Sequence, residues 1–443
     1  MSRRILYSLL TAGAVLVSGA IAYAQQSSGT YSAYTPYSSF GVGDLSTPGT
    51  AYNGTMGGVG IASRNTRFIN TINPAAATVR DSLSVMADFS LSYKHKLISY
   101  NNLHEISDVF NINSLAISLP IYRSLSFIAG IKPYSNVGYK SVSYEKNKSF
   151  IGIVGDIAYS QYGQGSLYQL YGGLAVDIVK GLSVGAQYEF YFGHTSKSYL
   201  QTFSLSKYNG LSDEFESKIT ASSGKFGIQY EKIFAKKVSV SIGATYQLKA
   251  KLNGVTERYI YPASSQLGAI VSDTLNLNTL DTRLTLASEI GVGIAINYMD
   301  KVRAEFDYTR ADWSKSNFDK VDGFAVESSS GFVYKPDVAQ SFRLGVEITP
   351  NRNDIRYYYK KISYRFGAYY NQEYYRINGN PIASVGITLG ATLPVFRWHN
   401  GITLGVEIGE RGSFKANLLK ERFFGASIGI NLYDIWFVKH YYE

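Results

Sequence analysis

Val302-Arg303-Ala304-Glu305-Phe306-Asp307-Tyr308-Thr309 sets an apolar residue at every even position and a polar or charged one at every odd position. Side chains of an extended chain point alternately to two faces, so this period of two marks a strand with one greasy and one polar face. The pattern returns in Phe342, Leu344, Val346 and Ile348 against Arg343, Gly345 and Glu347, and in Ile362, Tyr364, Phe366 and Ala368 against Ser363, Arg365 and Gly367. It recurs over 383–391, 402–408 and 424–432, where the polar positions are mostly Gly, Ser and Thr. Equivalents upstream lie at about 82–94, 109–119, 123–135, 166–178, 181–194, 222–232, 236–249 and 283–298.

About fourteen strands result, each with an unbroken apolar face. A soluble sandwich turns its polar face outward and fills it with Lys, Glu and Thr. Here Gly and Ser on the polar side let strands curve and leave room in a lumen, while the apolar side is suited to lipid. The expected fold is all-β, a transmembrane antiparallel β-barrel.

Links between strands alternate in length. Lys180-Gly181 and Asp300-Lys301 are short, whereas polar stretches at about 136–165, 195–221, 250–282 and 310–338 are long. In outer-membrane barrels the turns are periplasmic and the loops extracellular. The link at about 349–361 is longer than a turn and carries Arg352, Arg356, Lys360 and Lys361, which suits either a partner surface or a rim meeting headgroups. Tyr357 to Tyr359, Tyr369, Tyr370, Tyr374 and Tyr375 read as an interfacial girdle, with sugar stacking as the alternative.

Composition removes several functions. With no Cys, the chain has no disulfide, thiolate metal site, cysteine nucleophile or lipoprotein anchor. His95, His104, His194, His399 and His440 lack metal-pair spacing, so neither metal nor cofactor is expected. No nucleophile elbow or phosphate loop accompanies the carboxylates, and no catalytic residue is assigned. The formal charge of +10 is dispersed rather than striped, which argues against nucleic acid and for lipid headgroups.

Residues 1–24 read as an export signal: Arg3 and Arg4, an apolar run from Ile5 to Ala20, then Ala22-Tyr23-Ala24 before Gln25. The segment at 25–80 does not alternate. It is rich in Ser, Gly and Tyr, yet Phe40, Val42, Met56, Val59, Ile61, Phe68, Ile69 and Ile72 are more apolar than a solvated tail carries. Folding into the lumen would bury them. The barrel is then expected at 81–443, with a short tail from Trp436 in which Phe437 or Tyr442 replaces the usual terminal aromatic.

Phe40-Gly41-Val42-Gly43, then Gly57-Gly58-Val59-Gly60, then Asn73-Pro74-Ala75 just before the first strand, together resemble the N-terminal hatch of the long-chain fatty-acid transporter (FadL/TodX-like) family. That resemblance implies a luminal hatch in a fourteen-stranded barrel and passive uptake of a hydrophobic small-molecule ligand across the outer membrane of a Gram-negative cell. It also implies a kinked third strand with a lateral hole. Pro133 fits, because proline removes a ladder donor, and Pro133, Tyr134 and Gly138 are the expected border; a proline at the strand's rim is the other reading.

Glu189, Glu289, Arg303, Glu305, Asp307, Arg343, Glu347, Arg365 and Glu407 share the inward parity. They form either a network holding the hatch or a selective polar path. The upper loops offer no evident greasy landing groove. The competing function is therefore a non-transporting subunit docked in an outer-membrane protein complex for secretion or assembly, like the PorV attachment component of type IX secretion.

Overall fold

The computed structural model describes residues 33–435 except 82, 102, 123, 206, 235–236, 263–270, 277–282, 325–332, 396–399 and 413–417. The expected export signal and the tail from Trp436 lie outside the described residues, as do 25–32 of the hatch.

Fourteen barrel strands follow in chain order. They are β1 (Ser84–Tyr100), β2 (Leu103–Tyr122), β3 (Leu125–Tyr144), β4 (Ile157–Val179), β5 (Leu182–Phe203) and β6 (Leu211–Phe234). β7 (Val238–Gln247) continues as Ala250–Pro262, and β8 (Glu289–Tyr298) is preceded by ladder segments Val271–Asn276 and Thr285–Leu286. β9 (Val302–Asp312), β10 (Tyr334–Pro336 and Val338–Ile348), β11 (Ser363–Ile377), β12 (Asn380–Pro394), β13 (Gly401–Gly412) and β14 (Lys420–Ile435) complete the wall. Neighbours pair antiparallel, and β14 closes on β1 with Phe424 opposite His95 and Ile435 opposite Ser84. Closure pairs the first strand with the last, and the ladder between neighbours is interrupted between β2 and β3 above Leu115 and Ile131.

Parity sorts the two faces as the sequence implied. On β9, Val302 and Phe306 are exposed outward while Arg303, Glu305 and Asp307 are buried. Ile290, Val292, Ile294 and Ile296 of β8 and Phe342 and Leu344 of β10 extend the outward apolar belt. In water such a belt would be an aggregation surface; in a bilayer it is the solvated face. No helix among the described residues is long and apolar enough to cross a membrane.

Two expectations change. The long polar stretches are largely strand: β3 runs to Tyr144, β5 to Phe203, β6 starts at Leu211 and β7 reaches Pro262. Beyond the lipid both faces meet water, so the hydrogen-bond ladder persists while the alternation that reveals it vanishes; Leu103 to Ile106 of β2 are all exposed. The tyrosine girdle also divides. Tyr370 faces outward, but a register shift between Gln372 and Arg376 turns both Tyr374 and Tyr375 inward, where they are buried. Tyr369 points inward too, its hydroxyl donating to Glu407 at 2.5 Å.

Candidate functional site

The lumen holds the hatch, which descends from the extracellular half to the start of β1. Thr35 caps a 3₁₀ turn over Pro36–Ser39, its hydroxyl accepting the Tyr37 N–H at 3.2 Å. Gly41 and Gly43 then take positive φ, and Asp44–Leu45 pairs with Asn136 and Ser135 of β3. After the short helix α1 (Ala51–Gly54), Gly57 and Gly58 again adopt positive φ, a region that costs other residues strain. Asn73 caps a last 3₁₀ turn, Pro74–Thr78, accepting the Ala75 N–H at 3.0 Å.

Strand glycines explain how this segment fits. A Cβ at Gly367 would lie 2.1 Å from the Gly57 nitrogen, and one at Gly345 would lie 2.6 Å from the Met56 carbonyl. Gly185 does the same for the Pro74 backbone, and Gly227 makes room for the Asn73 side chain. The small inward residues therefore make room for the hatch backbone itself. Phe40, Val42, Met56, Val59, Ile61, Phe68, Ile69 and Ile72 are all buried.

Some of the inward charges contact the hatch and others pair within the wall. Asp307 accepts the N–H groups of Gly60 and Ile61 at 2.7 and 2.9 Å. Arg303 donates to the Arg64 carbonyl at 3.0 Å and lies 3.8 Å from Glu305. Arg343 packs against Gly58 and donates to Asn371 at 3.4 Å. Glu347 accepts from Arg365 at 2.8 Å, and the Arg365 guanidinium stacks 4.4 Å from the Tyr52 ring and 4.9 Å from that of Phe68. Glu189 accepts from Tyr191 and Gln187, while Glu407 pairs with Lys94 at 3.0 Å. Glu289 instead lines open space.

Other anchors were not singled out in the sequence. Arg411 bridges hatch Asp44 at 2.7 Å and Glu373 at 3.3 Å, and extending the parity of Thr403, Gly405, Glu407 and Gly409 would have found it. Lys197 donates to the Ser39 carbonyl at 2.8 Å from a stretch read as loop, and Thr388 accepts the Gly57 N–H at 2.8 Å.

Above these anchors the lumen is greasy and packed. Tyr37, Phe40 and Val42 of the hatch meet Trp313, Phe318, Val321 and Phe324 of the β9–β10 link, together with Tyr334, Tyr374 and Tyr375. Phe40 stacks 5.5 Å from Tyr334, and Trp313 lies 4.7 Å from Tyr374. Beneath them is a cavity of about 380 Å³ whose lining includes Lys94, Lys132, Glu289, Arg343, Glu407 and Arg411.

The same cavity touches a break in the wall. The β2–β3 ladder runs from Tyr122 opposite Leu125 to Leu115 opposite Ile131 and then stops. Higher up, β2 pairs with β1, whereas β3 pairs with β4 and, at Ser135 and Asn136, with the hatch. Pro133 lies beside a register shift that ends at Ser135, well inside the strand rather than at its rim. The Gly138 carbonyl accepts the N–H of hatch Thr35 and its own N–H donates to the Ser38 hydroxyl, and Tyr134 packs edge-on to Tyr191 at 4.8 Å. Ser135 to Tyr139 are all buried, while Val109, Asn111 and Asn113 of β2 and Lys132, Pro133 and Tyr134 of β3 line the same cavity from the two sides of the seam.

A family model described as BamG matches residues 1–443, and the chain belongs to the BamG family. No curated protein matches the sequence. Among solved structures, a FadL homologue of Pseudomonas aeruginosa is 12% identical with a TM-score of 0.56, covering 89% of this chain and 100% of its own. The Pseudomonas putida toluene transporter TodX is 15% identical, with a TM-score of 0.52 and coverage of 89% and 99%. The Ralstonia pickettii toluene transporter TbuX is 14% identical, with a TM-score of 0.51 and coverage of 87% and 98%. At these identities the likeness is one of fold: a β-barrel of the FadL-like architecture.

Proposed function

We propose that this protein is a non-catalytic barrel that docks in an outer-membrane protein complex for secretion or assembly, rather than an uptake channel. The observation carrying this reading is the division of the lumen. Its main aromatic cluster is packed onto hatch residues Tyr37, Phe40 and Val42, and the space left open mixes apolar groups with charges that include those of Lys94, Lys132, Glu289, Arg343, Glu407 and Arg411. Moving a hydrocarbon into an apolar site gains about 0.8 kcal/mol per buried methylene, a gain that is cut where these charged side chains share the lining.

A second reading, passive uptake of hydrophobic small molecules with lateral release into the bilayer, is favoured by the interrupted β2–β3 ladder at Pro133, Tyr134 and Gly138. It also draws on the toluene transporters that share the fold. Release sideways into lipid spares a greasy solute the periplasmic water.

Native mass spectrometry with lipid extraction, on protein taken from its own outer membrane in mild detergent, separates the two. Docking predicts a stoichiometric protein complex without a bound ligand. A lone barrel carrying fatty acid or an aromatic hydrocarbon would overturn docking and install transport.

A further inference from the structure

The β10–β11 link stands apart from the rest of the periplasmic rim. Thr349 donates its N–H to the Lys301 carbonyl at 2.7 Å, so the link leaves the wall level with the β9 turn. Asn351 N–H to Lys360 carbonyl, 2.9 Å, closes its base, and residues 352–359 stand beyond the strand ends. At the tip Ile355 is 96% exposed.

Its surroundings are fixed. Asp354 accepts the N–H groups of Arg356 at 2.9 Å and Tyr357 at 2.6 Å, and its other oxygen lies 3.4 Å from the Lys360 ammonium. Arg356 and Lys360 flank the Tyr357 ring at 5.2 and 4.6 Å, and Tyr359 lies 5.7 Å from it. Tyr358 donates to the Pro394 carbonyl at 2.8 Å, tying the link to the next turn. Four cations and one carboxylate give the link a net positive charge.

We propose that this link is a preformed knob for a periplasmic protein partner whose surface offers an apolar notch ringed by Asp and Glu. The inference rests on the docking reading and names its contact. Ile355 would fill the notch, with Tyr357 and Tyr359 as its shoulders and Arg356 and Lys360 meeting the acids. A rigid apolar tip with aromatic and Arg neighbours has the composition of a binding hot spot, and rigidity lowers the ordering cost of association. Positive charge selects an acidic partner. Lipid headgroups meet the whole rim equally, whereas among the described residues a hydrogen-bonded tip of this kind is seen at this link; the turns at Lys180-Gly181 and Asp300-Lys301 are too short to form one.

The test places a photo-crosslinking phenylalanine analogue at 355 in the full chain, in its native outer membrane, with a matched probe at 180. The expected result is one discrete protein adduct at 355 and none at 180. Adduct yield should fall at least tenfold in Arg356→Glu/Lys360→Glu and fall with added salt. Separately, Ile355→Asp in the unlabelled chain should release the partner from the purified complex, while the barrel's thermal unfolding stays unchanged. Adducts to lipid alone, or a protein adduct indifferent to charge reversal and salt, would overturn the proposal. A complex that survives both sets of substitutions would sink the knob and leave docking intact. A lone barrel without a complex in the wild type would remove both.

Discussion

The upper and lower storeys of the lumen are built from opposite chemistry. The upper one, Trp313, Phe318, Phe324, Tyr374 and Tyr375 around hatch residues Tyr37 and Phe40, excludes water by packing. The lower one, Asp307, Arg343, Glu347 and Arg365 around Gly57 to Ile61, holds the hatch by directed hydrogen bonds and ion pairs. The contrast teaches that sealing and anchoring are separate tasks. A greasy plug tolerates imperfect register, whereas a backbone amide on a carboxylate does not.

The comparison breaks most sharply at Arg365. Arg365→Ala leaves Glu347 buried with Arg352 3.7 Å away as its remaining ion-pair contact, and should cost about 3–5 kcal/mol in urea unfolding of the folded barrel. In the upper storey Phe318→Ala should cost about 3–4 kcal/mol, and it should give a wild type that is silent in planar bilayers a measurable conductance. An equally silent variant would show that the mouth is not the seal. Gly367→Ala pushes a Cβ into the Gly57 nitrogen and should cost about 1–3 kcal/mol, visible as faster protease cleavage within the hatch.

Pro133→Ala should shift stability by less than about 1 kcal/mol. Docking predicts no change in hydrocarbon uptake for it, while lateral release predicts a clear one. The smallest effect is in the periplasmic link. Backbone N–H groups, that of Tyr357 first, hold the Asp354 carboxyl below its ordinary range. Its share of the link's order is therefore present above the ordinary carboxylate value near 4 and lost as pH falls through the lowered one. Crosslinking from position 355 should be flat between about pH 5 and 8 and decline only in stronger acid.

Much of this was legible in sequence because lipid imposes a strict code. Arg303, Glu305 and Asp307 could be placed inward from parity alone, and the apolar residues of 40–72 pointed to a buried hatch. The mouth was not legible. Trp313, Phe318 and Phe324 sit in a stretch read as a polar loop, and their burial depends on residues far away in sequence. Tyr374 and Tyr375 were misread for a related reason: a register shift is a property of two strands, and one strand's sequence does not display it. Lys197 escaped because the strand holding it rises past the membrane, where alternation ceases.

By itself, then, the sequence determined the barrel, its inward face and the segment inside it, since period two beside lipid allows one face to be greasy and the other not. Tertiary structure alone decided where the β2–β3 ladder stops, which carboxylate takes the Gly60 amide and which aromatic rings pack onto the hatch. Those outcomes depend on how long-range pairing positions groups to within an ångström, and hydrogen bonding and packing are sensitive on that scale.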